Sequence, residues 1–256
     1  MSTQKKILIP LPSKDCDPTE VAVPWKILKQ KGFEVQFATP KGIMAIPDQR
    51  MLTGDGLFLF KPVLMADGNG RQAFKELSED LRFCNPLPYE KINILNFSGL
   101  ILPGGHDQGM KEYLESTLLQ RIVAKFFDQN LPVGAICHGV VLAARSKSAN
   151  SGKSVLEGKV TTSLLKSQEL LAYKLTKLWL GTYYLTYPDK TVEDEVRAAI
   201  GKNGRFESGP KPLFRDTPHS QKNGFTSVDG NYISARWPGD AHAFAHKFVD
   251  LLAEKA

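Results

Sequence analysis

The hexapeptide Gly134-Ala135-Ile136-Cys137-His138-Gly139 sets a thiol beside an imidazole, between glycines, where small and apolar residues give way to a helical pattern. A strand running straight into Cys-His-Gly and then a helix is the layout of a nucleophile elbow, a tight turn that lifts one side chain above a sheet. Oriented amides at the start of the helix lower a thiol's pKa and make the thiolate available near neutral pH. Cysteine is also a common interior residue, but the flanking glycines and the adjacent histidine favour a chemical role. One strand-helix unit earlier, Leu102-Pro103-Gly104-Gly105-His106 also ends a strand. Paired glycines let backbone approach a reacting carbonyl closely, so the amides of Gly105 and His138 are the candidate oxyanion hole. Together the motifs describe covalent catalysis by Cys137 on a carbonyl substrate.

Such a site needs a sheet to hold it. Lys6 to Ile9 reads as a strand buried on both faces, Thr19 to Leu28 as a helix with Pro24 in its first turns, and Phe33 to Ala38 as a second strand. Strand, helix, strand is a βαβ unit with parallel pairing. The rhythm resumes with a strand at Gly99–Leu102, a helix at Thr117–Gln129, a strand at Pro132–Ile136 and a helix at Gly139–Ala144. A hairpin follows, Phe225–Val228 and Tyr232–Ala235 about the turn Asp229-Gly230, and an amphipathic helix at Ala241–Ala253 closes the chain. Two stretches interrupt the pattern. Residues 41–96 carry only one helical segment, Arg71–Phe83, and residues 164–223 carry helices near Ser167–Leu178 and Val192–Ile200. The expectation is one α/β domain over residues 1–256, doubly wound and flavodoxin-like, with a mostly parallel sheet and two insertions.

Composition narrows the function. The 256 residues are 42% hydrophobic and 23% charged, enough for an ordinary globular core and far from a disordered chain. The net charge of +6 is spread among acids instead of forming a stripe with stacking aromatics, so no nucleic-acid partner is expected. Three cysteines without a CxxC pair argue against a disulfide scaffold or a zinc ribbon and suit a reducing compartment. The opening residues are too short in apolar run for a signal peptide, and no segment approaches the roughly 20 apolar residues of a membrane span. A cytoplasmic location is expected, with no membrane partner. Gly152-Lys153-Ser154 lacks the first glycine of a P-loop, and His242 and His246 lack the glutamate of a zincin, so neither a bound cofactor nor a metal is expected.

LPGGH and GAICHG, in this order and spacing, resemble the ThiJ/PfpI superfamily, which has a class I glutamine amidotransferase-like fold. The histidine after Pro-Gly-Gly and the long insertions resemble its larger chaperone and glyoxalase-III-like branch. The similarity extends from the first strand and Glu20 to Ser234-Ala235-Arg236-Trp237-Pro238-Gly239-Asp240. It implies Cys137 as nucleophile, His138 as its neighbour and Glu20 as a carboxylic acid pointing at the thiolate. A carboxyl crowded against a thiolate has a raised pKa and can share or donate a proton near pH 7. The branch also implies an acid in a loop after the cysteine. Glu169 is the nearest candidate, with Asp216 and Asp240 as alternatives. The implied activity is cofactor-free chemistry on small reactive carbonyls, either glutathione-independent conversion of methylglyoxal to lactate or deglycation. A cysteine protease or amidase and a redox-sensing stress chaperone are the alternatives, and a homodimer is compatible with any of them.

Overall fold

Residues 5–254 are described by the computed structural model. Its frame is a seven-stranded sheet made of β1 (Lys6–Pro10), β2 (Glu34–Thr39), β3 (Leu87–Pro88), β4 (Gly99–Leu102), β5 (Val133–Ile136), β6 (Thr226–Asp229) and β7 (Tyr232–Ala235). The strand order is β6-β7-β5-β4-β1-β2-β3, parallel throughout except for the β6–β7 hairpin at one edge. The inner strands have no solvent-facing side. Ile7, Leu8, Ile9, Leu100, Ile101, Leu102, Val133 and Ile136 are all fully buried, which is why they read as unbroken apolar runs and not as alternating ones.

The helices are α1 (Pro18–Gln30), α2 (Gly68–Leu77), α3 (Thr117–Asp128), α4 (Gly139–Arg145), α5 (Lys166–Leu180), α6 (Val192–Ile200) and α7 (Ala241–Ala253). α1 packs on α2 and α7, whereas α3 packs on α4. From β1 the chain steps through α1 to β2 in one direction, and from β4 through α3 to β5 in the other. The sheet therefore reverses direction between β1 and β4, and a crevice opens at their carboxyl ends. In open α/β sheets that is where ligands bind.

Local chemistry sets the element ends. Asp17 caps α1, its Oδ1 accepting from the amides of Thr19 and Glu20, and Pro18 follows in the first turn, where a missing donor matters least. The helix thus begins earlier than the sequence pattern suggests, and Pro24 falls in its second turn. The single helix expected at Arg71–Phe83 is broken instead. α2 ends at Leu77, and Asp80 starts a separate short turn, Leu81–Cys84, by accepting from the Arg82 amide. The first insertion also gives a strand to the sheet: β3 pairs with Ala38 and Thr39 of β2. Among the described residues no helix is long and apolar enough to cross a membrane.

The two insertions meet above the carboxyl ends of the strands. Trp179 Nε1 donates to the Gly56 carbonyl (2.6 Å), Tyr183 Oη to Asp48 Oδ2 (2.6 Å), and Arg215 Nη2 to the carbonyls of Val63 (3.2 Å) and Met65 (2.9 Å). They form a roof.

Candidate active site

Three consecutive positions on the sheet deliver the site. Glu20 follows β1 in the first turn of α1, Gly104 and Gly105 follow β4, and Cys137 follows β5. The Cys137 amide donates to Ala235 O of β7 (3.1 Å), so the neighbouring strand holds the turn. Cys137 has φ +56°, a left-handed backbone that costs a residue with a Cβ of order 1 kcal/mol or more. Two glycines make room for it. A Cβ on Gly139 would lie 1.9 Å from the Leu102 carbonyl oxygen, and one on Gly104 would lie 2.6 Å from the His138 amide nitrogen and 2.8 Å from Glu20 Oε2.

The thiol has an acceptor on one side. Cys137 Sγ lies 3.4 Å from His138 Nδ1, and His138 Nε2 lies 3.1 Å from Thr186 Oγ1. Thr186 has one hydroxyl proton and donates it to the His106 carbonyl at 2.6 Å. It can then only accept from His138, which places the imidazole proton on Nε2 and leaves Nδ1 bare toward the thiol. Burial holds the His138 pKa down to about 3, with the positive groups of His106 and Arg145 adding to the effect, so the ring is neutral at physiological pH.

On the other side stands Glu20, fully buried. Its Oε2 accepts from the Gly104 amide (2.8 Å). Its Oε1 has no well-formed hydrogen bond among the described residues, and the Cys137 thiol makes a loose contact with the same carboxyl. Burial, reinforced by the charge of Asp17, pushes the Glu20 carboxyl well above the usual carboxylate range. Asp17 is itself raised to about 6 by burial, against the hydrogen bonds from the Glu20 and Thr19 amides and the positive charge of Arg215.

Burial also pushes the Cys137 thiol up, Glu20 and Asp17 push the same way, and the His138 amide opposes them. This reverses the sequence expectation of an acidic thiol: desolvation in a closed, acid-rich pocket outweighs the few oriented amides of α4.

The site opens into a cavity of about 220 Å³. Asp17, Glu20, Gly105, His106 and Cys137 line its inner part, Leu171, Leu213 and Arg215 belong to the roof, and Trp237 follows β7. Arg215 Nη1, Trp237 Nε1 and Gln168 Oε1 are buried at its wall without hydrogen-bond partners among the described residues. His106 stacks on Tyr184 with ring centroids 4.5 Å apart, and burial lowers its pKa to about 4. Among the described residues no group of three or more His, Cys, Asp or Glu side chains is placed to hold a metal ion.

A family model described as ThiJ/PfpI family-like matches residues 11–195, a span that includes every strand-end residue of the site. The chain belongs to this family. A Schizosaccharomyces pombe protein of uncharacterized function is 31% identical over 97% of this chain and 84% of its own length. The glutathione-independent glyoxalase hsp3101 of the same organism is 25% identical over 91% of this chain and 85% of its own. The crystal structure of glyoxalase III from Candida albicans superposes with a TM-score of 0.70 at 17% identity, covering 96% of this chain and 97% of that one. The fold is shared with other members of the ThiJ/PfpI family, down to the parallel sheet flanked by helices.

Of the residues singled out in the sequence, Glu20, Gly105, Cys137 and His138 come together at the strand ends. Glu169 lines the same cavity, but its Oε2 accepts from the Val192 amide at the start of α6 (2.9 Å) and not from His138. The alternative acids are engaged elsewhere. Asp216 pairs with His242 (2.9 Å), and Asp240 with Arg236 (2.8 Å). The partner of His138 is Thr186, which a search for carboxylates passes over. It is one of three threonines in the segment between α5 and α6 and carries no sequence signal of its own. Asp17, which no motif singles out, is the buried cap that sets the charge beside Glu20.

Proposed function

We propose that this enzyme converts a 2-oxoaldehyde into the corresponding 2-hydroxy acid through a covalent adduct on Cys137, without glutathione. The observation that carries the reading is the thiol's position between a bare acceptor, His138 Nδ1 at 3.4 Å, and the buried carboxyl of Glu20.

Cys137 Sγ adds to the aldehyde carbon while its proton passes to His138 Nδ1, giving a hemithioacetal. The oxygen of the former carbonyl takes up negative charge opposite the amides of Gly105 and His138. The proton on that carbon is then removed, and one is returned to the neighbouring ketone carbon through an enediol, with the Glu20 carboxyl and His138 as the exchanging groups. One carbon is oxidised and its neighbour reduced, so no external electron carrier enters the balance. Water hydrolyses the resulting thioester, releasing the 2-hydroxy acid and restoring the thiol.

The kinship to a protein named a glutathione-independent glyoxalase supports the same chemistry. The roofed cavity of about 220 Å³ suits a compact carbonyl better than the open groove a peptide needs. The test is formation of lactate from methylglyoxal by glutathione-free protein, with Cys137→Ser inactive. Wild-type protein inert on 2-oxoaldehydes but active on amide substrates would replace this reading with hydrolysis.

A further inference from the structure

The cavity is larger than the smallest 2-oxoaldehyde requires, and its lining is mostly apolar, with Arg215 Nη1, Trp237 Nε1 and Gln168 Oε1 as polar exceptions. At a liquid-water share of roughly 30 Å³, a three-carbon dicarbonyl displaces about three waters' worth, or roughly 90 Å³. The cavity measures about 220 Å³. The remainder leaves room for a short chain beyond the dicarbonyl.

Burial changes steeply across this space. Glu20 and Cys137 on its floor are 0% and 5% exposed, whereas Val63, Leu171 and Leu213 on its walls are 67%, 58% and 72% exposed. Single exposed aliphatic residues are ordinary. These three come from separate segments, one in the first insertion and two in the second, and converge on one opening above the thiol. Arg215 on the cavity wall donates from Nη2 to the backbone of Val63 and Met65, which fixes one apolar wall against the other, while its Nη1 has no hydrogen-bond partner among the described residues. A bound hydrocarbon chain would remove these surfaces from water together.

We propose that the enzyme's substrate is a 2-oxoaldehyde with an unbranched hydrocarbon tail longer than a methyl group, the dicarbonyl against Cys137 and the tail between Val63, Leu171 and Leu213. This rests on the carbonyl reading above and specifies its substrate.

The test compares kcat/KM of the full-length protein for methylglyoxal, 2-oxohexanal and 2-oxooctanal. Each buried methylene contributes about fourfold at most, so a rise of at least tenfold from the first substrate to the second is expected. Leu171→Gln and Leu213→Gln, both at exposed positions, are expected to narrow that ratio several-fold. A flat or falling series in the wild type overturns the proposal. A second measurement is independent of turnover: the rate of Cys137 alkylation by N-methyl-, N-butyl- and N-hexylmaleimide, each divided by its rate with free glutathione. A normalised rate that climbs about tenfold supports the tail site even if no 2-oxoaldehyde is consumed, in which case the reaction reading falls alone. A normalised rate independent of chain length overturns the tail site even if methylglyoxal is turned over.

Discussion

Thr186 decides which nitrogen of His138 is bare. Its hydroxyl donates to the His106 carbonyl at 2.6 Å, so the 3.1 Å contact to His138 Nε2 runs from imidazole to hydroxyl. A threonine occupies the place where an orienting carboxylate would sit, and it orients the ring without adding a negative charge to a pocket already lined by Asp17, Glu20 and Glu169.

Thr186→Val should therefore lower kcat by about tenfold to a hundredfold with little change in KM, less than the loss from a displaced carboxylate partner. Thr186→Ser should restore most of it. Equal activity in the valine variant would show that another contact fixes the ring.

Glu20→Gln keeps an acceptor for the Gly104 amide and so keeps the fold, but it removes the exchangeable proton. Turnover should fall by about two orders of magnitude, the scale of a positioned acid or base. The pH midpoint of Cys137 alkylation by iodoacetamide should move down, because the carboxyl that pushes the thiol up can no longer be charged. A midpoint that moves up would mean that Glu20 stabilises the thiolate instead.

Gly139→Ala should be among the most damaging single substitutions in the protein. Its Cβ would stand 1.9 Å from a backbone oxygen of the adjacent strand loop, where no side chain can swing away. A loss of about 3 kcal/mol or more, or failure to fold, is expected. Thermal melting checks it, and a shift of only a few degrees would mean that the two loops part easily.

Stability should depend on pH through Glu169. Burial raises its pKa from 4.5 to about 7 in the folded protein. The folded state then holds this proton more tightly than the unfolded chain, so stability is full below about pH 4.5 and is lost as pH rises through 7. The loss is of order 3 kcal/mol at most. Glu169→Gln, which can still accept from Val192, should be more stable than wild type at pH 8 and about equal to it at pH 4.5. Parallel melting curves at the two pH values would count against a buried proton at this position.

The sheet was legible in the sequence because its strands are buried on both faces and announce themselves as apolar runs such as Lys6-Ile7-Leu8-Ile9. Cys137 and Gly105 were legible because close backbone approach demands glycine at fixed spacings. β3 was not, since two residues, Leu87 and Pro88, carry no periodicity. Thr186 was not legible either. It lies 48 positions from His138, and only the folded path of the second insertion brings its hydroxyl to the ring. The thiol's acidity was misjudged for a related reason. A helix start is visible in sequence, whereas the desolvation and the Asp17 charge that oppose it belong to the assembled pocket.

The roof is joined across its middle by a few side-chain hydrogen bonds, those of Trp179, Tyr183 and Arg215, whereas the floor is locked into a parallel sheet. The two parts of the enzyme can therefore change at different rates. The outer residues of segments 41–86 and 164–223 are free to exchange side chains, and with them the kind of molecule admitted, while Thr186 stays tied to His138 and the glycines at 104 and 139 tolerate no added atom. Transplanting the roof of one relative onto the floor of another would trade selectivity and leave the reaction intact only where a hydroxyl is kept at position 186.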